Sequence, residues 1–435
     1  MNVKTPIPKA QGIDNTLALI KEGFHFLPGL RKELESDIFE TRLMGQKVIC
    51  MGGKEAAEMF YNNNLFKRKD AVPTSIKKSL LGEGGVHGLD DEAHKQRKRM
   101  FLSMMTPERL EDVRKIAVNE LNSKVAEWET KENVVFFEEI KEVLTRTGCK
   151  WAGIPLRDQD VKQRAWELGE MVDSFGGSVA RFRSGKKARE SQEKWLKGIV
   201  KNVRSGKIPA PANTAAYIIS HHREPNGKQL DAQIAAVELN NIIRPIVATA
   251  YYLTFGAMAL HEHPETISSL KENKSNYSLM FTQEVRRFYP FAPAMGAKVK
   301  KSFYWYNYHF KKNMLVILDI FGTNHHPDIW DHPDEFNPER FKDWKGSPFS
   351  FIPQGGGDHH IGHRCAGEWV TVMIMRSFFQ YLTENVTYTV PDQNLNYSMT
   401  RMPTVPKSRF VITRVKKLKK SLHDLEDNEQ THTVI

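Results

Sequence analysis

The residues whose types and spacing could do chemistry gather at a few places. The first is Phe351-Ile-Pro-Gln-Gly-Gly-Gly-Asp-His-His-Ile-Gly-His-Arg-Cys365-Ala-Gly367, a glycine-rich loop with a lone cysteine directly before an apolar run. Glycines there permit tight turns and let a flat or bulky group approach the backbone. The run over 368–379 reads as a mostly buried helix. Cys365 then stands at a helix N-terminus, where backbone N–H groups and the helix dipole favour a thiolate. A nucleophile, an iron ligand and an inert core thiol are the three readings the loop by itself leaves open.

Four further groups stand out. His94 and Arg97 are three apart near the start of a helix and share a face. That face suits a carboxylate or phosphate, or is a solvated charge run. His87 sits inside the glycine-rich stretch Gly82-Glu-Gly-Gly-Val-His87-Gly. Arg244-Pro245 lies inside a long apolar helix over 230–255. The proline removes an N–H, so a kink or local opening is expected. The arginine is costly there unless paired, either to a ligand carboxylate that matches its planar fork or to Glu238 or another acid. Glu284 and Arg287, again three apart, can form a fixed pair, as a structural link or an ordinary surface ion pair.

The elements that must position these groups are mainly helices. The pattern predicts a strand pair over 39–51, helices over 75–81 and from Asp91 onward, two helices around Trp128 and another over 158–175. A basic surface stretch follows over 178–189, then a helix over 190–205. Residues 277–289 form a helix and 296–320 alternate as strands. A turn-rich polar meander runs over 324–341, and strands close the chain. The tail from Lys416 is basic and then polar.

The totals narrow the function classes. The chain has 435 residues, 40% hydrophobic and 26% charged, with a formal charge of +11, so it is globular with room for a large core. The positive charge would help an anionic substrate or a membrane surface. The plainer reading is solubility, because Lys and Glu are interleaved. No stripe combines basic and aromatic residues at useful spacing, so no nucleic-acid surface is expected. Three cysteines, Cys50, Cys149 and Cys365, argue against a disulfide scaffold and fit a reducing cytoplasm, with Cys50 and Cys149 as core thiols. The first ten residues hold no apolar signal segment. Apolar stretches read as interrupted or too short for a transmembrane segment.

Glu284-Val-Arg-Arg287, Pro338-Glu-Arg-Phe341 and Gly362-His-Arg-Cys365-Ala-Gly367, in that order, resemble the cytochrome P450 superfamily, and the resemblance covers nearly the whole chain. Two departures are informative. The stretch between Phe351 and Cys365 is longer than usual. Arg244-Pro245 stands where ordinary monooxygenases carry the acid-alcohol pair that delivers protons to dioxygen. Both departures are similar to the bacterial fatty-acid peroxygenases. So are Gly12-Ile-Asp-Asn-Thr-Leu17, Phe60-Tyr-Asn62, Met105-Thr-Pro-Glu-Arg109 and Glu284-Val-Arg-Arg-Phe-Tyr-Pro-Phe291.

The resemblance implies a mainly α (α+β) fold, a helical prism with small β-sheets. Haem b lies between the long central helix and the cysteine loop, in a single domain over 1–435 whose tail, 416–435, is flexible. It makes Cys365 the axial iron ligand and assigns His94, His363, Lys98 and Arg97 to the haem propionates. Arg244, Pro245 and His87 become the catalytic set, with Arg244 holding the carboxylate of a long-chain fatty acid. Leu81, Val172 and Phe291 become pocket residues, and Glu284, Arg287 and Arg340 a structural cluster. Hydrogen peroxide is the implied co-substrate, with no obligatory redox partner. In the resembling group the position of His87 is glutamine in typical hydroxylases and histidine in the member known for terminal alkenes. Leu81, where that member has an aromatic residue, argues against strong decarboxylation. The expected products are alpha- and beta-hydroxy acids with some terminal alkene. A reductase-dependent monooxygenase and a non-catalytic haem- or lipid-binding protein are the alternatives.

Overall fold

The computed structural model describes residues 6–176 and 178–418. The chain opens with two short helices, α1 (Thr16–Glu22) and α2 (Phe26–Glu33), then the hairpin β1 (Ile38–Leu43) and β2 (Gln46–Met51), then α3 (Lys54–Phe60) and β3 (Phe66–Lys67). A helical segment, α4 (Thr74–Ile76), runs on as a π turn over Lys77–Leu81 into the His87 loop. The helical body is α5 (Asp91–Leu102), α6 (Pro107–Trp128), α7 (Phe136–Ala152), α8 (Val161–Asp173), α9 (Val179–Arg204), α10 (Ala215–His221) and α11 (Ala232–Glu262), with β4 (Asn133–Val135) between α6 and α7. Then come α12 (Glu265–Glu272), α13 (Tyr277–Phe288), the strands β5 (Ala294–Val299), β6 (Phe303–Trp305), β7 (Tyr308–Phe310) and β8 (Leu315–Asp319), and α14 (Ile320–Asn324). After the meander, α15 (Glu368–Asn385), β9 (Val386–Thr389) and β10 (Val411–Lys417) complete the described chain.

Local chemistry explains the principal helix starts and stops. Thr106 caps α6 by accepting from the Arg109 N–H, with Pro107 at the first position, where its missing N–H costs nothing. Asp231 accepts from both Gln233 and Ile234 to open α11. Gly153 ends α7 in the left-handed conformation. Helix α11 is the axle of the main core, which also takes in α6, α7, α8, α9 and α15. Gly256 on α11 lets α15 come close, because a Cβ there would sit 2.1 Å from the Phe379 ring.

The strands form three small sheets. The largest has the order β1-β2-β8-β5-β3, with β2 and β8 parallel and the other pairs antiparallel. The others are β4-β10-β9 and β6-β7. The helical prism with small sheets is as expected.

Four expectations need correction. Residues 178–189 do not form a separate basic surface stretch. They open the 26-residue helix α9, with Arg183, Lys186 and Lys187 exposed as expected but Gly185, Ala188 and Arg189 buried. Lys416 and Lys417 do not open a tail, since they pair with Thr387 and Val386 in β10. The rest of that expected tail, from residue 419, lies outside the described residues. Helix α11 shows no local opening at Pro245 and continues as helix to Glu262, although the proline removes one N–H from its ladder. By length and composition α11 could also cross a membrane, contrary to the expectation, although nearly all of its apolar window is buried inside the protein.

Candidate active site

Cys365 precedes α15 by three residues, and its N–H donates to Gln354 O at 3.1 Å. The glycine-rich loop folds tightly beneath it. A Cβ on Gly356 would lie 2.7 Å from both Ile352 Cγ2 and Pro348 O, so no other residue fits there. Burial pushes the thiol up, Glu368 in the first turn adds to that, and Lys98 offsets part. The helix N-terminus, through the Gly367 N–H, lowers the thiol only in part. Gln354 Nε2 lies 3.9 Å from Cys365 Sγ and donates to Thr371 Oγ1 at 3.2 Å. Arg286 reaches both Gln354 Oε1, at 2.9 Å, and Glu368. Arg364 closes the group on Glu368 Oε2 at 2.6 Å. Sequence reasoning missed this buried cluster, which joins α13 to the cysteine loop. Cys50 and Cys149 are fully buried core thiols, as expected, and burial pushes both up, Cys149 to about 12.

Between Cys365 and α11 lies a cavity walled by Phe101, Met105, Ile242, Ile246 and Val370, with His87, His94, Lys98, His363 and Pro245 also on its lining. The apolar walls suit the faces of a macrocycle, and Cys365 stands where it can reach the metal. One end is crowded with bases. The His94 and His363 rings lie 3.9 Å apart. Burial and their mutual proximity hold His94 at about 3, and burial holds His363 at about 4 despite Asp90. The Lys98 ammonium, pushed down to about 8 by burial, bonds to the carbonyls of Gly362 and Arg364. Nearby, the Nε and Nη2 of Arg68 are buried with no partner. Two propionates would supply the anions that this end calls for, so the residues present fit haem.

Arg97 is not part of that end. It turns to the other side of α5, pairing with Glu238 Oε1 at 2.6 Å and with Glu224. It is 3% exposed, so its assignment to a propionate is withdrawn. Glu238, wholly buried in α11, is the hub of the distal side. It accepts from Val86 N at 2.8 Å, in the His87 loop, and from Asn241 Nδ2 at 2.9 Å. Asn241 Oδ1 in turn accepts from Arg244 Nη2 at a long 3.3 Å. The alternative of a Glu238–Arg244 salt bridge therefore fails.

Arg244 is 7% exposed, its Nε is buried without a partner, and it makes no ion pair among the described residues. Burial, then the neighbouring Arg189, push its guanidinium down to about 9. His87 lies deep in the protein, yet more than a third of its surface is accessible, because it borders the haem-side cavity and a second one behind it. Burial, Arg244 and Arg189 hold its ring at about 3, so it is neutral.

The three expected pocket residues do not line the cavity above Cys365. Leu81 faces the second cavity. Val172, 4% exposed, packs in the helical core. Phe291 packs at a tilt against Tyr252 and Tyr251, with centroids at 4.9 and 5.7 Å. Pro245, Ile242 and Ile246 supply that wall instead. The structural cluster is as expected: Glu284 pairs with Arg287 at 2.7 Å and with Arg340 at 3.2 Å.

A family model described as Cytochrome P450 matches residues 164–413. Protopanaxadiol 6-hydroxylase of Panax ginseng is 22% identical, over 83% of this chain and 81% of its own length. Cytochrome P450EX alpha (CYP152N1), solved with myristic acid, is 42% identical with a TM-score of 0.91, covering 95% of this chain and 100% of that one. A variant of cytochrome P450 OleT in complex with arachidonic acid is 36% identical with a TM-score of 0.93, covering 95% and 99%.

Proposed function

The chain belongs to the cytochrome P450 superfamily, in its fatty-acid peroxygenase branch, and we propose that it spends hydrogen peroxide directly to oxidise long-chain fatty acids at the alpha and beta carbons, with some decarboxylation to terminal alkenes. Hydroxylation consumes one peroxide and releases one water. Decarboxylation consumes one peroxide and releases carbon dioxide and two waters. The observation that carries the reading is Arg244, a buried guanidinium with a bare Nε and no carboxylate of its own.

A fatty-acid carboxylate completes what Arg244 lacks. Its fork can take the carboxylate bidentately, and the charge-assisted pair is strong in a dry site. The carboxylate then lies beside Asn241 and Pro245, which line the haem-side cavity, and this keeps the alpha and beta carbons on that side. Ile242 and Ile246 exclude water around the chain. Thr249, one turn on from Pro245, donates its hydroxyl to the Pro245 carbonyl at 3.3 Å, so α11 offers no free acid-alcohol relay at that point. The held carboxylate can take a proton from peroxide and return it to the departing oxygen, acting as the general acid-base group. His87, neutral over the working pH range, can donate or accept a hydrogen bond at that place. Cys365 and His94, Lys98 and His363 would hold haem. When bound, haem would supply cleavage of the O–O bond, favoured by the Cys365 thiolate, and the oxidising power that removes a substrate hydrogen.

The test uses purified haem-loaded protein, palmitate and hydrogen peroxide, with no reductase or nicotinamide, and gas chromatography of the products. Alpha- and beta-hydroxypalmitate with a minor C15 terminal alkene are expected. Turnover only when a reductase system and oxygen are supplied would overturn the peroxide reading, and hydroxy acids with no alkene would remove the decarboxylation.

A further inference from the structure

Glu238, Asn241 and Arg244 follow one another at steps of three along α11, so each faces the next. Glu238 is wholly buried and divides its two oxygens. Oε1 accepts from the N–H of Val86, the residue before His87, at 2.8 Å, and from Arg97 Nη1 at 2.6 Å. Oε2 accepts from Asn241 Nδ2 at 2.9 Å. That bond decides which way the Asn241 amide points, because an ionised carboxylate takes only donors. Asn241 Oδ1 is thereby turned to Arg244 Nη2, at 3.3 Å, the one side-chain hydrogen bond of Arg244 among the described residues. Gly85 closes the arrangement from the loop side. Its φ of −78° suits any residue, yet a Cβ there would lie 2.9 Å from Val237 Cγ1, 3.1 Å from Asn241 Nδ2 and 3.5 Å from Glu238 Oε2. The His87 loop therefore rests directly on the acid and the amide.

We propose that Glu238 is the positioning residue of the distal side: one oxygen sets the place of His87 through Val86, and the other sets the reach of Arg244 through Asn241. The proposal rests on the reading above for the tasks of His87 and Arg244. The physical gain is registration between the two. A fatty acid held by Arg244 reacts at its alpha and beta carbons only while these stay fixed relative to the haem side, and a misplacement of about 1 Å costs on the order of 100-fold in rate. A guanidinium with a single long bond has room to swing, and an acceptor locked in orientation limits that swing. Arg97, backed by Glu224, supplies the countercharge that a buried carboxylate requires.

Glu238→Gln tests the relay with almost no change of shape. A glutamine that keeps its oxygen on Val86 N and Arg97 presents an NH2 group to Asn241. Asn241 must then turn its own oxygen to the glutamine, and Arg244 meets a donor in place of an acceptor. Wild type, Glu238→Gln, Asn241→Ala, the double variant and His87→Ala are compared as haem-loaded proteins. The palmitate-induced Soret shift gives the Kd, and the C–O stretch of the reduced carbon monoxide complex reports the polar group that His87 presents to the haem side. Glu238→Gln should weaken palmitate binding by about tenfold, and the double variant should bind no worse than Asn241→Ala alone, the mark of two residues acting in series. Glu238→Gln should also move the stretch in the direction in which His87→Ala moves it, whereas Asn241→Ala should leave it in place. Gly85→Ala keeps every charge and wedges the same junction, so it should move both readouts in the same sense by less, whether or not the fold tolerates a neutral residue beside Arg97. Unchanged Kd and stretch in Glu238→Gln and Gly85→Ala would overturn the proposal. Losses that add in the double variant would overturn it at Asn241, and a stretch that His87→Ala does not move would overturn it at His87. With both readouts as expected, a wild type that turns over no palmitate with peroxide would fell the peroxide reading alone.

Discussion

Two buried arginines, one on α13 and one on α11, meet opposite fates. Arg287 is 1% exposed and is saturated. It holds both oxygens of Glu284, at 2.7 and 2.8 Å, and the carbonyls of Asn324, Pro333 and Glu335 at 3.1, 2.7 and 3.0 Å. Arg340 adds a second cation to the same acid. Arg244 is almost as deeply buried, yet it has one long bond to an amide and a bare Nε. A folded chain leaves a buried charge unsatisfied only at a cost that something else must offset. The saturated cluster ties the meander to α13 and is structure. The unsaturated one is spare binding capacity, and it waits for an anion the chain does not supply.

The contrast can be broken most severely at Glu284. Glu284→Ala leaves Arg287 and Arg340 facing no acid in a buried setting. Removing one partner of such a pair costs about 3–5 kcal/mol, so urea unfolding should show a loss of that size, with poor haem retention. Near wild-type stability would mean that Arg287 is held by its backbone carbonyls alone. The same logic run on Arg244 reverses the sign for stability. Arg244→Met exchanges an unpaired buried cation for an apolar side chain of similar length. Substrate-free stability should be equal or higher, while fatty-acid affinity should fall by about 2–5 kcal/mol, read as loss of the palmitate-induced Soret shift. A variant that still binds palmitate as wild type does would move the anchor elsewhere.

The saturated cluster was legible from sequence through the resemblance, since spacing alone left Glu284 and Arg287 as a structural link or a surface ion pair and did not point to Arg340. The unsaturated side was legible only in part. Arg244 was visible as a charge in an apolar helix, but its partner question had two answers, and the outcome turned on Arg97, 141 positions from Glu238. Spacing puts His94 and Arg97 on one helix face. The fold separates them, sending His94 and Lys98 toward the cysteine and Arg97 toward α11. Arg189 was hidden for another reason. The buried positions toward the start of α9 are Gly185, Ala188, Arg189 and Gln192, ahead of the apolar Leu196, Ile199, Val200 and Val203; the early stripe is helical in spacing but not in hydropathy, so that stretch read as surface. Gly185 had to be small because Ser174 of the preceding loop lies 2.4 Å from where its Cβ would be, and no local signal carries that. Leu81, Val172 and Phe291 came from resemblance alone, and none lines the cavity above the cysteine.

The finest separation of the two regions is by pH. Burial, Arg244 and Arg189 hold His87 at about 3, well below its ordinary value of 6.5. A histidine whose folded value is depressed is neutral in the folded chain and takes a proton when unfolded, over the window from about 6.5 down to about 3. The unfolded state binds more protons there, so stability falls as pH falls through that window and is recovered above 6.5. His87→Gln removes this contribution while keeping a polar group in the loop. The variant's melting temperature should therefore decline less steeply than wild type's between pH 6.5 and 4.5, with equal values at pH 8 once any constant offset is subtracted. The effect should be modest, because the ring borders cavities that admit water and screen its surroundings. Parallel curves for the two proteins would show that His87 is already protonated in the folded state, or that its neighbours do not feel its charge. Either result would take the open cluster closer to Arg287's condition, in which every group has a partner.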